Sequence, residues 1–170
     1  DPSKPCVMLM GGTHGFGPIP ELARDLLSIR PSVQVIAAAG SNKDLEEELS
    51  IYKRTKNIRV FGYTRDISAL MDASDILVTK PGGLTASEAL VKGIPMILIS
   101  PLPGQEQRNS RYLTSCGAAV LAKKSRDVKN LVRQLILHPA QRAQLSEKAL
   151  AISAPDAASN TAREIAALLI

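Results

Sequence analysis

The sequence predicts an α/β fold: a parallel sheet of about six strands, covered by helices on both faces. Short apolar runs alternate with segments of helical period along most of the chain. Several of the runs are apolar nearly throughout instead of alternating, as strands buried on both faces are. The loops of unusual composition all follow strands, so they collect along one edge of the sheet, where ligands bind in such folds.

The first run, Cys6-Val7-Met8-Leu9-Met10, empties into a glycine-rich turn from Gly11 to Pro18. A helix is expected from about Ile19 to Ile29, with Leu22, Leu26 and Ile29 on one face. Val33 to Ala39 is the second strand, ended by Gly40. The next helix, about Lys43 to Lys53, carries Leu45, Leu49 and Tyr52. Ile58 to Phe61 is the third strand, and Gly62-Tyr63-Thr64-Arg65 turns into a short helix with Ile67, Leu70 and Met71. Asp75 to Val78 is the fourth; a Pro81-Gly82-Gly83 turn leads from it into a helix that stops at Gly93. Pro95 to Ser100 is the fifth, followed by the Pro101–Asn109 loop and a helix to about Ser115. Ala118 to Leu121 is a short sixth strand. Helices then fill about Arg126 to Leu137, Ala140 to Ala151 and Ala157 to Leu169. His138-Pro139 and Ala154-Pro155 mark the breaks, because proline ends the helix before it.

At 170 residues one domain is the simpler organisation. Asp1 to Pro5 looks like a linker remnant, with the folded domain from residue 6 to 170. Aromatics are 3% and Trp is absent, so the core is built from Ala, Leu, Ile and Val. The formal charge of +5 is scattered, with few aromatics interleaved, which argues against a stacking nucleic-acid surface. It suits a solvated face or work beside anionic lipid equally well. Cys6 and Cys116 lie far apart and are expected to be buried free thiols in a reducing compartment. No apolar run reaches the roughly 18 residues that span a bilayer.

The most informative stretch is Gly82-Gly83-Leu84-Thr85, with Glu88 one turn on. A helix start has spare N–H donors and a partial positive charge, so it suits a phosphate. Thr85 adds a hydroxyl, and a carboxylate at Glu88 can accept both hydroxyls of a ribose. The same residues also fit a capping box, in which Thr85 caps the helix and Glu88 reaches back to it. Gly11 to Gly17 lacks the spacing of a dinucleotide fingerprint, and no acidic residue ends the second strand. It reads instead as an anion-friendly turn. It lacks the lysine of a Walker loop too. His14 within it is a loop hydrogen-bonder or a weak catalytic candidate; His138, before proline, gets no role. No D-x-D, H-E-x-x-H or Cys/His cluster is present, so no tightly held metal is expected. In Pro103-Gly104-Gln105-Glu106-Gln107-Arg108-Asn109, polar side chains at a helix start could read sugar hydroxyls, or form an ordinary acidic first turn.

Gly82-Gly83-Leu84-Thr85-x-x-Glu88-Ala89, Gly93-x-Pro95 and Pro103-Gly104-Gln105-Glu106-x-x-Asn109 together resemble the nucleotide-sugar half of a GT-B glycosyltransferase. Within that Rossmann-like fold the chain is most similar to the diacylglycerol glycosyltransferases, both processive glucosyltransferases and monogalactosyldiacylglycerol synthases. It is more distantly similar to the lipid-linked N-acetylglucosaminyltransferase of peptidoglycan synthesis. The similarity spans about Val7 to Val120.

The resemblance implies that Glu88 holds the ribose hydroxyls, while Gly83, Leu84 and Thr85 hold the diphosphate beside Gly82. It places uracil on the Tyr63–Thr64 backbone, and the hexose against Gln105, Glu106 and Asn109. Gly12 and Thr13 would line the diphosphate and inter-domain cleft. The donor would be a UDP-hexose with no cofactor, and the acceptor diacylglycerol. A further N-terminal domain, absent here, would supply the acceptor surface and the general base. The whole enzyme would be peripheral to the cytoplasmic side of a membrane, or to the chloroplast envelope in a plant. Alternatives on the same half-domain are a UDP-sugar epimerase, the peptidoglycan enzyme, or a non-catalytic nucleotide-sugar-binding module.

Overall fold

The computed structural model describes residues 1–52 and 54–168. The predicted α/β architecture is present. Strands β1 (Cys6–Met10), β2 (Gln34–Ala38), β3 (Ile58–Phe61), β4 (Ile76–Thr79), β5 (Met96–Leu98) and β6 (Ala119–Leu121) form one sheet in the order β3-β2-β1-β4-β5-β6. Every pairing is parallel. Between them run helices α1 (Ile19–Leu27), α2 (Lys43–Leu49), α3 (Ile67–Asp72), α4 (Gly83–Lys92) and α5 (Gln105–Ser115). Helices α6 (Ser125–Leu137), α7 (Pro139–Ala151) and α8 (Ala157–Ala167) close the chain.

The period of two along each strand divides the core into two layers. Val7, Leu9, Val35, Ile76, Val78 and Ile97 face one way, against Leu22 and Leu26 of α1, Leu45 and Leu49 of α2, and Val128 and Val132 of α6. Met8, Met10, Leu77, Met96 and Leu98 face the other, against Met71 of α3, Ala86, Ala89 and Leu90 of α4, and Leu113 of α5. Both faces are therefore covered, which is why β1 and β4 are buried at every position. Each fully buried Leu, Ile or Val side chain stabilises this arrangement by about 1.5–3 kcal/mol.

Most differences from expectation lie at element ends. Helix α1 stops at Leu27, not Ile29; Ile29 still enters the core, but Arg30 precedes a proline and is restricted from helical geometry. Helix α2 stops at Leu49 and tightens into a 3-10 turn over Ser50–Tyr52. The expected end at Lys53 lies outside the described residues, as does the expected end of the last helix at Leu169. Helix α8 forms as expected, yet buries no residue.

The cysteines divide. Cys6 is buried in β1, and burial pushes its thiol up, with the nearby Asp75 carboxylate pushing the same way and a Ser74 hydrogen bond opposing. Cys116 is only half-buried, which corrects the expectation of two buried thiols. It is the C-cap of α5, between the exposed Ser115 and Gly117.

Candidate functional site

The strand order turns back between β1 and β4, so successive connections leave that point in opposite directions. In open α/β sheets a crevice forms there, outside the carboxyl ends of the strands. A cleft of about 180 Å³ occupies this position. The loop after β1 contributes Gly12 and Thr13, the loop after β2 Gly40, and the loop after β3 Tyr63 and Thr64. The start of α4 contributes Leu84, Thr85 and Glu88. Larger hollows lie elsewhere, one of about 500 Å³ lined by Lys4, Gln34, Arg59 and Asp75 toward the amino ends of the strands. A groove of about 690 Å³ runs between α6 and α7. Neither is built from the strand-end loops.

The wall formed by α4 bears on the capping-box reading of Thr85 and Glu88. The helix is capped by Gly82 in extended conformation (φ −67°, ψ 143°), so Thr85 is already the third helical residue. A capping box needs Thr85 at the cap, and no side chain caps this helix. Its first helical bond is Ala86 N–H to Gly82 C=O, 2.9 Å. The amides of Gly83, Leu84 and Thr85 therefore precede the intrahelical ladder and point out of the helix start. Gly82 has open space where a Cβ would stand, so the backbone there is accessible. Glu88, three residues after Thr85, is exposed on the cleft wall.

The opposite wall is stitched from two loops. The Thr13 carbonyl accepts from the Ser41 N–H at 2.7 Å and from the Ser41 hydroxyl at 3.0 Å. Gly40 sits between them at φ +61°, and a Cβ there would lie 2.2 Å from the Thr13 oxygen. Both the left-handed backbone and the contact demand glycine. Gly40→Ala is expected to lower stability by about 2–5 kcal/mol and to loosen the Thr13 wall. An unchanged midpoint in urea denaturation would show that this contact relaxes freely.

The Pro101–Asn109 loop lies on the far side of the α4 start. Gly104 takes φ +94°, and α5 begins at the next residue. The Gln105 side-chain amide stands 3.7 Å from where a Cβ on Gly83 would lie. Asn109 donates to the Pro81 carbonyl at 2.9 Å and shares a hollow of about 140 Å³ with Gly83. Glu106 accepts the Leu102 N–H at 2.8 Å and pairs with Lys80 at 3.2 Å. Gly12, Thr13, Tyr63, Thr64, Leu84, Thr85 and Glu88 thus share one cleft, while Gly83, Gln105 and Asn109 adjoin it across the helix start. His14 lines neither space; its Nδ1 is 3.4 Å from the Ser41 hydroxyl and its ring leans on Phe16.

Sequence reasoning missed Ser41 and gave no role to Lys80. A lysine closing an otherwise apolar strand was the available signal for the second. Nothing in the sequence marks Ser41.

Known proteins resemble the chain in sequence and in fold. A processive diacylglycerol beta-glucosyltransferase of Staphylococcus saprophyticus is 36% identical over 86% of this chain and 38% of its own length. A probable chloroplastic monogalactosyldiacylglycerol synthase 3 of Oryza sativa is 35% identical over 97% of this chain and 34% of its own. The chain therefore spans little more than a third of these relatives. Among solved structures, MurG of Acinetobacter baumannii superposes with a TM-score of 0.69 at 22% identity, over 93% of this chain and 48% of that one. Anabaena Alr3699/HepE in complex with UDP-glucose gives 0.66 at 20% identity, over 88% and 43%. Residues 6–168 match the glycosyltransferase family 28 C-terminal domain, and the chain belongs to that family.

Proposed function

We propose that this chain is the donor-binding domain of a glycosyltransferase that moves a hexose from a UDP-hexose to diacylglycerol. The observation that carries the reading is the cleft at the turning point of the sheet. There an uncapped helix start faces the Gly12–Thr13 loop, with Glu88 on the same wall. In this reading Glu88 accepts the ribose hydroxyls, and the Gly83, Leu84 and Thr85 amides hold the diphosphate beside Gly82. Tyr63 and Thr64 offer backbone groups to uracil, and Gln105, Glu106 and Asn109 meet the hexose. The names of the curated relatives support diacylglycerol as acceptor, and the HepE complex supports UDP-glucose as the kind of donor.

The chemistry follows from where charge develops. As the anomeric carbon leaves the donor for the acceptor hydroxyl, negative charge grows on the UDP diphosphate. Helix-start N–H groups already aimed at that position stabilise it without reorganising. The base that takes the acceptor proton is proposed to lie in a further domain of the whole enzyme. Among the described residues no helix is long and apolar enough to cross a membrane. The excess of basic residues suits a peripheral association with anionic lipid on the cytoplasmic side.

The donors named are amides and one hydroxyl, so binding is expected to need no divalent ion. Calorimetric titration with UDP should give the same affinity in EDTA and in magnesium. A large loss in EDTA would mean that an ion, not the helix start, neutralises the diphosphate.

A further inference from the structure

Lys80 is a buried charge that the roles above leave unused, and it sits where three strand-end loops meet. It directly follows β4, and its side chain is 8% exposed. Its Nζ lies 3.2 Å from Glu106 Oε1 and 5.5 Å from the ring centre of Phe16 in the glycine-rich loop. The other Glu106 oxygen accepts the Leu102 N–H at 2.8 Å. That bond folds the Pro101–Gly104 loop onto the first turn of α5, and Gln107 N–H to the Leu102 carbonyl, at 3.2 Å, fastens it again.

Burying an ammonium and a carboxylate costs about as much as their attraction returns, so the pair is weak evidence for stability. Its geometry says more. An ionised carboxylate offers about four lone-pair directions, and here each oxygen has one taken. Glu106 keeps 22% of its side chain exposed, so the carboxylate is not sealed off from solvent. The ammonium orients a group that can still accept a hydroxyl. Gln105, the residue before it, is held beside Gly83 by the same turn.

We infer that Lys80 is a positioning residue for the sugar: through Glu106 it fixes the start of α5, so that Glu106 and Gln105 meet the donor hexose in one orientation. The inference rests on the donor-binding reading above. It predicts a split between the two parts of the ligand, because the nucleotide lies against α4 and the sugar against α5. Lys80→Met should weaken UDP-glucose binding by about fivefold or more, the scale of coupling between contacting groups, and leave UDP itself within about twofold. Lys80→Arg, which keeps the cation, should recover most of the loss. Lys80→Met/Glu106→Gln should bind UDP-glucose no worse than the weaker single variant, because both changes act on one unit. If Lys80→Met does not fold, Lys80→Gln, which keeps a neutral donor beside Glu106, carries the same UDP against UDP-glucose comparison.

A ligand-free measurement completes the test. Amide exchange at Leu102 and Gln107 should quicken in Lys80→Met and stay near wild type in Lys80→Arg. Unchanged exchange overturns the inference. So does an equal loss of UDP and UDP-glucose, which would make Lys80 a general support of the fold. A wild-type chain that binds no UDP sinks the donor-binding reading and this inference with it. A wild-type chain that binds both ligands, with an unaltered ratio in Lys80→Met, sinks this inference alone.

Discussion

Glu88→Gln is expected to weaken UDP-hexose binding about tenfold or more while the melting temperature stays within a degree or so of wild type. A charged hydrogen-bond partner is worth about 1.5–3 kcal/mol, which converts to about one or two powers of ten in affinity. The amide can still accept at its oxygen, but its NH₂ cannot, so one ribose hydroxyl loses its acceptor. The stability half of the expectation follows from the helix start. Gly82, not Thr85, occupies the cap, and no side-chain bond closes a box with Glu88. The carboxylate is exposed on the cleft wall, so its removal leaves no buried group unpaired. Calorimetry on wild type and Glu88→Gln, beside thermal unfolding, measures the two halves separately. A fall in melting temperature with unchanged UDP affinity would return Glu88 to a structural role.

The sequence carried the architecture because the signals for it are local. Short continuous apolar runs such as Val7 to Met10, bounded by turn residues, read as strands buried on both faces. Strand order is not local. It depends on which edges pair, and the turning point between β1 and β4 became visible only in the sheet. The helix start at Gly83 shows a similar limit. Thr85 and Glu88 satisfy a capping pattern on paper, and the extended backbone at Gly82 decides against it. Residues tied by side chains far apart in sequence were out of reach: Ser41 with Thr13, and Lys80 with Glu106. Helix α8 was legible by period alone, and period says nothing about what a helix packs against.

The chain taken alone is expected to bind UDP weakly, to prefer it over ADP and NAD, and to transfer no sugar. The two-layered core supports independent folding, because both faces of the sheet are covered within the chain. The elements proposed to hold the donor are likewise all within it, from Gly12 to Asn109. Selectivity follows from the wall chemistry. The loop after β2 reads Ala39-Gly40-Ser41, so it offers no carboxylate to an NAD ribose. The proposed carboxylate stands instead on α4, one turn from the anion site, a spacing suited to a single nucleoside diphosphate. Affinity is expected to be low because the cleft is open to solvent, so water competes for every donor. Catalysis asks for more: an oriented acceptor hydroxyl, a base beside it, and exclusion of water from the anomeric carbon. His14, the weak catalytic candidate of the glycine-rich loop, leans on Phe16 beside Ser41 outside the cleft. Calorimetry with UDP, ADP and NAD, run beside a radiolabelled transfer assay on diacylglycerol vesicles, examines each part. Hexose transfer by the chain alone would place a base within it and make His14 the first residue to replace. Tighter binding of NAD than of UDP would overturn the assignment of the cleft itself.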